Sequence, residues 1–139
     1  MTRDPVRRSH ENVRVHHGLT PNDPRLLELY RTAHVFALPT RADCYSLATI
    51  EAMAAGLPSI LARVGGTGDI LRDGETGFLI PAGDADALSA RLDELVAEPE
   101  ARVRMGLAAR ADAELRYDAR ANILRTVGLM RAYLGRAGA

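Results

Sequence analysis

The sequence between residues 36 and 60 reads FALPTRADCYSLATIEAMAAGLPSI. It predicts a short buried strand, a polar loop, a helix and the beginning of a second strand. The run from Val35 to Leu38 is apolar at every position, which is typical of a strand covered on both faces in a parallel sheet. Pro39 ends this strand because proline has no N–H to donate to a neighbouring strand. We therefore expect the rest of the chain to pack around this unit.

The helix in this stretch has recognisable ends. Ser46 is a preferred N-cap residue, and Gly56 suits the left-handed conformation that closes many helices. The helix should therefore run from about Leu47 to Ala55. Three of its residues share the face that we expect to pack on the sheet: Leu47, Ile50 and Ala54. The neighbouring stripe holds Glu51 between alanines, whose small side chains leave room for a ligand beside the carboxylate.

Two acidic residues flank the beginning of this helix. Asp43 lies in the loop before it, and Glu51 lies within it. The free N–H groups and the positive dipole at a helix N-terminus attract anions such as phosphate. Taken singly, these residues fit a capped surface helix with a turn-forming aspartate and a solvated glutamate. Taken together, and followed by a second junction rich in glycine, they favour a ligand site.

The second junction follows the strand predicted at Pro58–Ala62. Gly65 and Gly66 stand directly after it, ahead of Thr67 and Asp69. Glycine lets the main chain approach a ligand closely or turn tightly. A glycine pair on its own does not distinguish between these two uses.

The residues from Asp43 to Pro58 resemble the donor-binding motif of retaining glycosyltransferases with the GT-B fold, in the large family-four group. That motif has two acids separated by seven residues, commonly Glu-Gly-Phe-Gly-Leu followed by Leu-Glu-Ala-Met-Ala-Xaa-Gly-Xaa-Pro. The spacing and the downstream half match here, with Asp43 and Glu51 as the acids. Cys44 and Ser46 replace the two usual glycines, and we expect their side chains to narrow the sugar site. Similar family passages occur at 29–34, 65–69 and 73–81.

The resemblance implies a role for each part of the site, although it names no catalytic residue. Four residues would contact the transferred sugar: Asp43, Cys44, Tyr45 and Ser46. Three would bind the nucleotide and its phosphates: Leu47, Ala48 and Glu51. Three would line the donor cleft: Gly65, Gly66 and Thr67. The implied donor is a nucleotide diphosphosugar, whose ribose hydroxyls would donate to Glu51. The resemblance implies no metal and no other cofactor.

Strands predicted near residues 13, 35, 59 and 78 alternate with helices, which indicates an α/β fold with a parallel sheet and flanking helices. By resemblance this is a partial Rossmann-like domain, the GT-B C-terminal domain, with a helical C-terminal tail. We expect a disordered lead-in over residues 1–11, the partial donor-binding domain over 12–116 and a C-terminal helix over 117–139. Further helices are predicted from Pro24, Asp84, Pro99 and Asp118, and a single helical turn at 70–72.

The resemblance covers only the latter part of the family's donor domain. In the family, two earlier strands and an N-terminal acceptor domain precede this part. We expect the missing acceptor domain to be a partner of the chain. Because exposed parallel edges invite association, the chain should bring its own strands together or form a homo-oligomer through its sheet edges.

Composition narrows the classes of partner. The 139 residues have a formal net charge of zero and a pI near 6.9, so no global basic field favours nucleic acid or an anionic membrane. No apolar run reaches the length of a membrane span. The single cysteine, Cys44, cannot form an internal disulfide, which fits a reducing compartment. The adjacent His16 and His17 are poorly spaced as metal ligands. We therefore predict a cytoplasmic protein.

Two hypotheses for function follow. The first is the nucleotide-diphosphosugar-binding portion of a retaining glycosyltransferase, which in the full-length enzyme transfers a hexosyl group to an acceptor but is inactive as this chain alone. The alternative is a non-catalytic interaction or oligomerisation module derived from a glycosyltransferase domain. A dinucleotide-binding dehydrogenase half is disfavoured because no Gly-Xaa-Gly-Xaa-Xaa-Gly follows the first strand.

Overall fold

The computed structural model describes residues 10–137, with side chains to residue 135, so most of the predicted lead-in lies outside the described residues. The chain divides into two units, Met1–Thr32 and Ala33–Ala139. The helices and strands, in chain order, are α1 (Pro24–Thr32), β1 (Phe36–Leu38), α2 (Leu47–Ala54), β2 (Ser59–Ala62), α3 (Thr67–Ile70), β3 (Gly77–Ile80), α4 (Ala85–Ala97), α5 (Pro99–Tyr117) and α6 (Ala119–Ala137).

The first unit contains α1, which begins at the predicted proline. The backbone N–H of Arg25 donates to Asp23 Oδ1 at 2.9 Å, and the Arg25 guanidinium pairs with the same carboxylate at 2.7 Å. The hydrogen bond from the Arg25 side chain lowers the pKa of Asp23.

The prediction of a strand near residue 13 is wrong, because Val13–Val15 is irregular. Three alternating residues form a strand only where a neighbouring strand supplies hydrogen bonds.

The second unit is built on a parallel sheet, which confirms the predicted α/β class. Within the described residues the sheet has three strands in the order β1-β2-β3. Phe36 pairs with Ser59, and Ser59 in turn pairs with Gly77. β2 is buried at every position, whereas β1 leaves Ala37 exposed. The expectation that residues 35–38 are covered on both faces is therefore wrong. Among the described residues, β1 lies at the edge of the sheet.

Two apolar clusters cover the two faces of the sheet. Neighbouring side chains of β2 point to opposite faces, so Leu61 packs with Met53 of α2 and Ala109 of α5, while Ile60 packs with Leu95 of α4. α5 contributes to both clusters. The helices α2 and α4 therefore lie on opposite faces of the sheet.

The buried face of α2 differs from the predicted one. Thr49, Ala52 and Met53 are buried, whereas Leu47 is 70% exposed and Ala54 is also exposed. Leu47 and Ala54 were thus assigned to the wrong face, although Ile50 packs partly against the cluster around Met53. The helix carries apolar residues on every side, so its periodicity does not select a face. Contact with α5 selects it.

The predicted helix ends agree closely with the structure. Ser46 accepts a hydrogen bond from the N–H of Thr49, Asp84 accepts from Ala87, and Asp118 accepts from Ala121. Gly56 has φ +81°. The helical turn predicted at 70–72 lies three residues earlier, as α3, because the Thr67 hydroxyl organises the loop that begins it.

The C-terminal helix carries a row of apolar side chains that the second unit does not bury. The exposed residues on α6 are Ile123, Leu124, Val127, Leu129, Met130, Tyr133 and Leu134. On α4, Val96 is 69% exposed, although the neighbouring Leu95 is buried. No helix in the described part of the chain is long and apolar enough to cross a membrane.

We expect Thr49→Val to raise the free energy of unfolding by about 1 kcal/mol. Thr49 is fully buried, and its Oγ1 has no hydrogen-bond partner among the described residues. Burying an unpaired hydroxyl is costly, and valine has the same shape without the hydroxyl. Urea denaturation measures the change. Thr67→Val is the control, because the buried Thr67 hydroxyl is fully bonded and its loss should destabilise. A destabilised Thr49→Val variant would contradict the prediction.

Candidate functional site

The loop between β1 and α2 is ordered by its own side chains. Asp43 Oδ1 accepts a hydrogen bond from the Tyr45 N–H at 3.2 Å. Ser46 is buried, and its Oγ caps α2 by accepting from the Thr49 N–H at 3.2 Å. Asp43 is half-buried, whereas Cys44 and Tyr45 are exposed. The polar side chains of this loop therefore both shape the turn and set the beginning of α2.

The two loops predicted from the sequence lie against each other. The Gly66 N–H donates to the Cys44 carbonyl at 3.0 Å. A Cβ added at Gly65 would lie 2.0 Å from the Asp43 carbonyl oxygen, and Gly65 also has a positive φ of +49°. A Cβ at Gly66 would lie 2.6 Å from the Cys44 carbonyl oxygen. The glycine pair is thus required for close approach of one loop backbone to the other.

Thr67 supports the second loop from inside. It is buried, and its Oγ1 lies 2.8 Å from the carbonyl oxygens of both Ala62 and Val64. The same oxygen accepts from the Val64 N–H at 3.0 Å. These contacts place the Thr67 hydroxyl within its own loop, where it joins the end of β2 to the beginning of α3.

The remaining predicted residues lie on α2. Leu47 and Glu51 are exposed, and Ala48 is half-buried. The acids Asp43 and Glu51 therefore stand on either side of the α2 N-terminus, one in the preceding loop and one in the second turn. The first N–H groups of a helix have no partner within the helix, so this end attracts negative charge. The arrangement is suited to holding an anionic ligand with hydroxyl groups beside it.

The C-terminal end of α5 also reaches this site, which the sequence reasoning missed. The Tyr117 hydroxyl lies 3.2 Å from that of Tyr45, and the two rings meet edge to face with centroids 6.3 Å apart. Burial, and then the hydrogen bond to Tyr45, raise the pKa of Tyr117. No local sequence signal joins two residues so far apart in the chain.

Arg116 ties the same end of α5 to α3. Its guanidinium donates to the backbone carbonyl oxygens of Asp69 and Ile70, the latter at 3.3 Å. It also pairs with Asp112 at 2.8 Å, and that carboxylate is only 5% exposed. Among the described residues, no group of three His, Cys, Asp or Glu side chains could hold a metal ion.

The chain is similar to known glycosyltransferases in sequence and in fold. The sequence profile of the family described as "Glycosyl transferases group 1" matches residues 7–112. The D-inositol 3-phosphate glycosyltransferase of Streptomyces scabiei is 40% identical over 90 residues, which are 65% of this chain and 20% of that protein. The chain therefore spans about a fifth of the length of this curated relative.

Solved structures share the fold. Sucrose-phosphate synthase from Thermosynechococcus elongatus matches with a TM-score of 0.73 and 31% identity, over 77% of this chain and 27% of that one. The Anabaena protein HepE, solved in complex with UDP-glucose, matches with a TM-score of 0.71 and 19% identity. That match covers 77% of this chain and 30% of HepE. The neighbours are of the GT-B type, which agrees with the predicted fold.

Proposed function

This chain belongs to the group 1 glycosyl transferases, and from that membership we propose that it binds the nucleotide diphosphosugar donor of a retaining glycosyltransferase. The single observation that supports this best is the close contact between the two loops predicted from the sequence. The Gly66 N–H bonds to the Cys44 carbonyl, which brings the glycine-rich loop against the loop that begins α2. The proposed site is formed by these two loops and the first turns of α2.

In the proposed site the diphosphate lies at the N-terminus of α2. The N–H of Tyr45 is already bonded to Asp43, so the N–H groups of Ser46 and Leu47 are left for the anion. The helix dipole stabilises the charge that grows on the diphosphate leaving group during transfer. Such preorganised donors reduce the activation free energy because they need no rearrangement as the bond breaks.

The two acids hold the ends of the donor. Glu51 accepts hydrogen bonds from the ribose hydroxyls, and Asp43 accepts from hydroxyls of the transferred sugar. Asp43 Oδ1 is used by Tyr45, so Oδ2 is the atom offered to the sugar. Cys44 and Ala48 line the same loop and helix, and Ser46 contributes its main chain because its side chain caps α2. We propose binding without transfer for this chain alone, since it spans about a fifth of the length of its curated relative.

We expect Glu51→Gln to weaken nucleotide binding by about ten- to a hundredfold, because hydrogen bonds to a charged acceptor are worth about 1.5–3 kcal/mol. Isothermal titration calorimetry with UDP, GDP, ADP and UDP-glucose measures it. Glu94→Gln is the matched control and should leave nucleotide binding unchanged. Glu94 lies on α4, on the face of the sheet opposite to α2, and pairs with Arg91 at 2.6 Å. Equal affinities for the Glu51 variant and the wild type would refute the assigned role.

The competing function is an interaction module that binds no nucleotide. It is favoured by the row of exposed apolar side chains on α6 and by the side chains of Cys44 and Ser46 where the family has glycine. Analytical ultracentrifugation tests the association that this function and the expected pairing through sheet edges both predict. A chain that self-associates and gives no heat with any of the four nucleotides would favour the module over the donor site.

A further inference from the structure

Tyr45 is held by two contacts, although it is 46% exposed. Its hydroxyl lies 3.2 Å from the Tyr117 hydroxyl, and the rings meet edge to face at 75°. The ring also lies near Gly66, where an added Cβ would be 3.4 Å from Tyr45 Cδ2. An exposed tyrosine loses rotamer freedom only where such contacts fix it. Tyr117 of α5 therefore adds to the contacts that order the loop that begins α2.

The same turn of α5 anchors α3, the helix that follows the second loop. Arg116 donates to the carbonyl oxygens of Asp69 and Ile70, which belong to α3. The buried carboxylate of Asp112 holds the Arg116 guanidinium at 2.8 Å and also lies 3.5 Å from Arg72. The guanidinium stacks over the Tyr117 ring at 5.0 Å. One turn of α5 thus contacts the loop that begins α2 and the helix that follows the second loop.

We propose that Tyr117 is a positioning residue for donor binding. It fixes Tyr45, and with it the sugar side of the site, while Arg116 anchors α3, which follows the other loop. This inference rests on the proposed function. The Tyr117 hydroxyl meets the Tyr45 hydroxyl and also lies 3.5 Å from the Asp69 carbonyl oxygen. In the proposed site it reaches the donor only through Tyr45. Its loss should therefore impair recognition of the sugar moiety more than recognition of the nucleotide, which Glu51 holds at the other end of the site.

The test compares Tyr117→Phe with the wild type by titration with UDP and with UDP-glucose. Phenylalanine keeps the ring contact and removes only the hydroxyl. If the chain prefers GDP, then GDP and GDP-mannose replace the uridine pair. We expect the affinity for the nucleotide sugar to fall about three- to tenfold, the size expected for one neutral hydrogen bond, and the affinity for the nucleoside diphosphate to change less than about twofold. Tyr133→Phe is the control, because Tyr133 is 75% exposed on α6.

A ligand-free measurement separates failure of this inference from failure of the proposed function. We expect hydrogen exchange at the hydrogen-bonded amides of Tyr45 and Gly66 to be faster in Tyr117→Phe than in the wild type and unchanged in Tyr133→Phe. If exchange is faster in Tyr117→Phe but the wild type binds no nucleotide in the titrations, the proposed function is overturned. Tyr117 is then a structural residue. The positioning role alone would be overturned by a different result, in which the wild type binds UDP-glucose. In that result Tyr117→Phe either loses the same affinity for both ligands or loses none.

Arg116→Gln provides the second arm of the test. Glutamine cannot reach and pair as the guanidinium does with Asp112 and the α3 carbonyl oxygens. We expect faster exchange in residues 67–71 and weaker binding of both ligands, in contrast to the selective loss in Tyr117→Phe. Unchanged exchange at residues 67–71 in a folded Arg116→Gln variant would contradict the anchoring of α3.

Discussion

Gly106→Ala should lower the free energy of unfolding by about 2–3 kcal/mol, although alanine favours helices more than glycine does. Gly106 lies in α5 where that helix crosses the end of α2. A Cβ at this position would stand 2.2 Å from the Gly56 carbonyl oxygen and 3.2 Å from its carbon. These are backbone atoms, so no side-chain rotation relieves the clash and the helices must move apart. The move would open the tightly packed cluster around Met53 and Ala109.

Gly128→Ala is the matched control for this substitution. Gly128 lies in α6, and an added Cβ would meet nothing within 4 Å. The change should therefore increase helicity, with a gain of up to about 1 kcal/mol from helix propensity. Urea denaturation followed by circular dichroism measures both variants. Opposite signs are expected, and a Gly106→Ala variant as stable as the wild type would show that α2 and α5 do not cross as closely as described.

Gly65→Ala should cost about 2–4 kcal/mol of stability and abolish nucleotide binding. Two effects add at this position. Alanine is strained at φ +49°, and its Cβ would lie 2.0 Å from the Asp43 carbonyl oxygen. The loop that carries Gly65 must therefore separate from the loop that carries Asp43 and Tyr45. If these loops form the donor site, the separation removes both sides of the sugar-binding part at once.

The control for this variant lies three residues along the chain. Gly68 is in α3 without a positive φ, and an added Cβ would meet nothing within 4 Å. Gly68→Ala should retain both stability and binding. Thermal unfolding and calorimetric titration with UDP-glucose measure the pair of variants. A folded Gly65→Ala variant that binds as tightly as the wild type would place the donor away from these loops.

Local patterns were sufficient for the elements that depend on short-range chemistry. Ser46, Asp84 and Asp118 cap helices as predicted because a cap needs only a side-chain oxygen and an N–H two or three residues away. The turn at Gly56 follows from glycine's tolerance of positive φ. The family passages likewise allowed the class of enzyme to be predicted, and the relationship to glycosyltransferases is confirmed.

The candidate site was predictable only in part. The residues from Asp43 to Thr67 were selected from the sequence, and the structure brings their two loops together through Gly66 and Cys44. Their roles toward a donor stay predictions. Arg116 and Tyr117 were not selected, because arginine and tyrosine on a charged helix are ordinarily solvated and nothing in their spacing refers to Tyr45.

The sequence by itself determined the parallel α/β class, the ends of the long helices and the loop that contains Gly65 and Gly66. Only the tertiary structure decided which side of α2 is buried, that β1 is an edge strand and that α5 braces the loops. The physical reason is the range of the forces involved. Caps and turns depend on neighbours a few residues away. The orientation of α2 depends instead on the distant segment that packs against it, because apolar residues lie on several sides of this helix. That segment is α5, which approaches closely at Gly106.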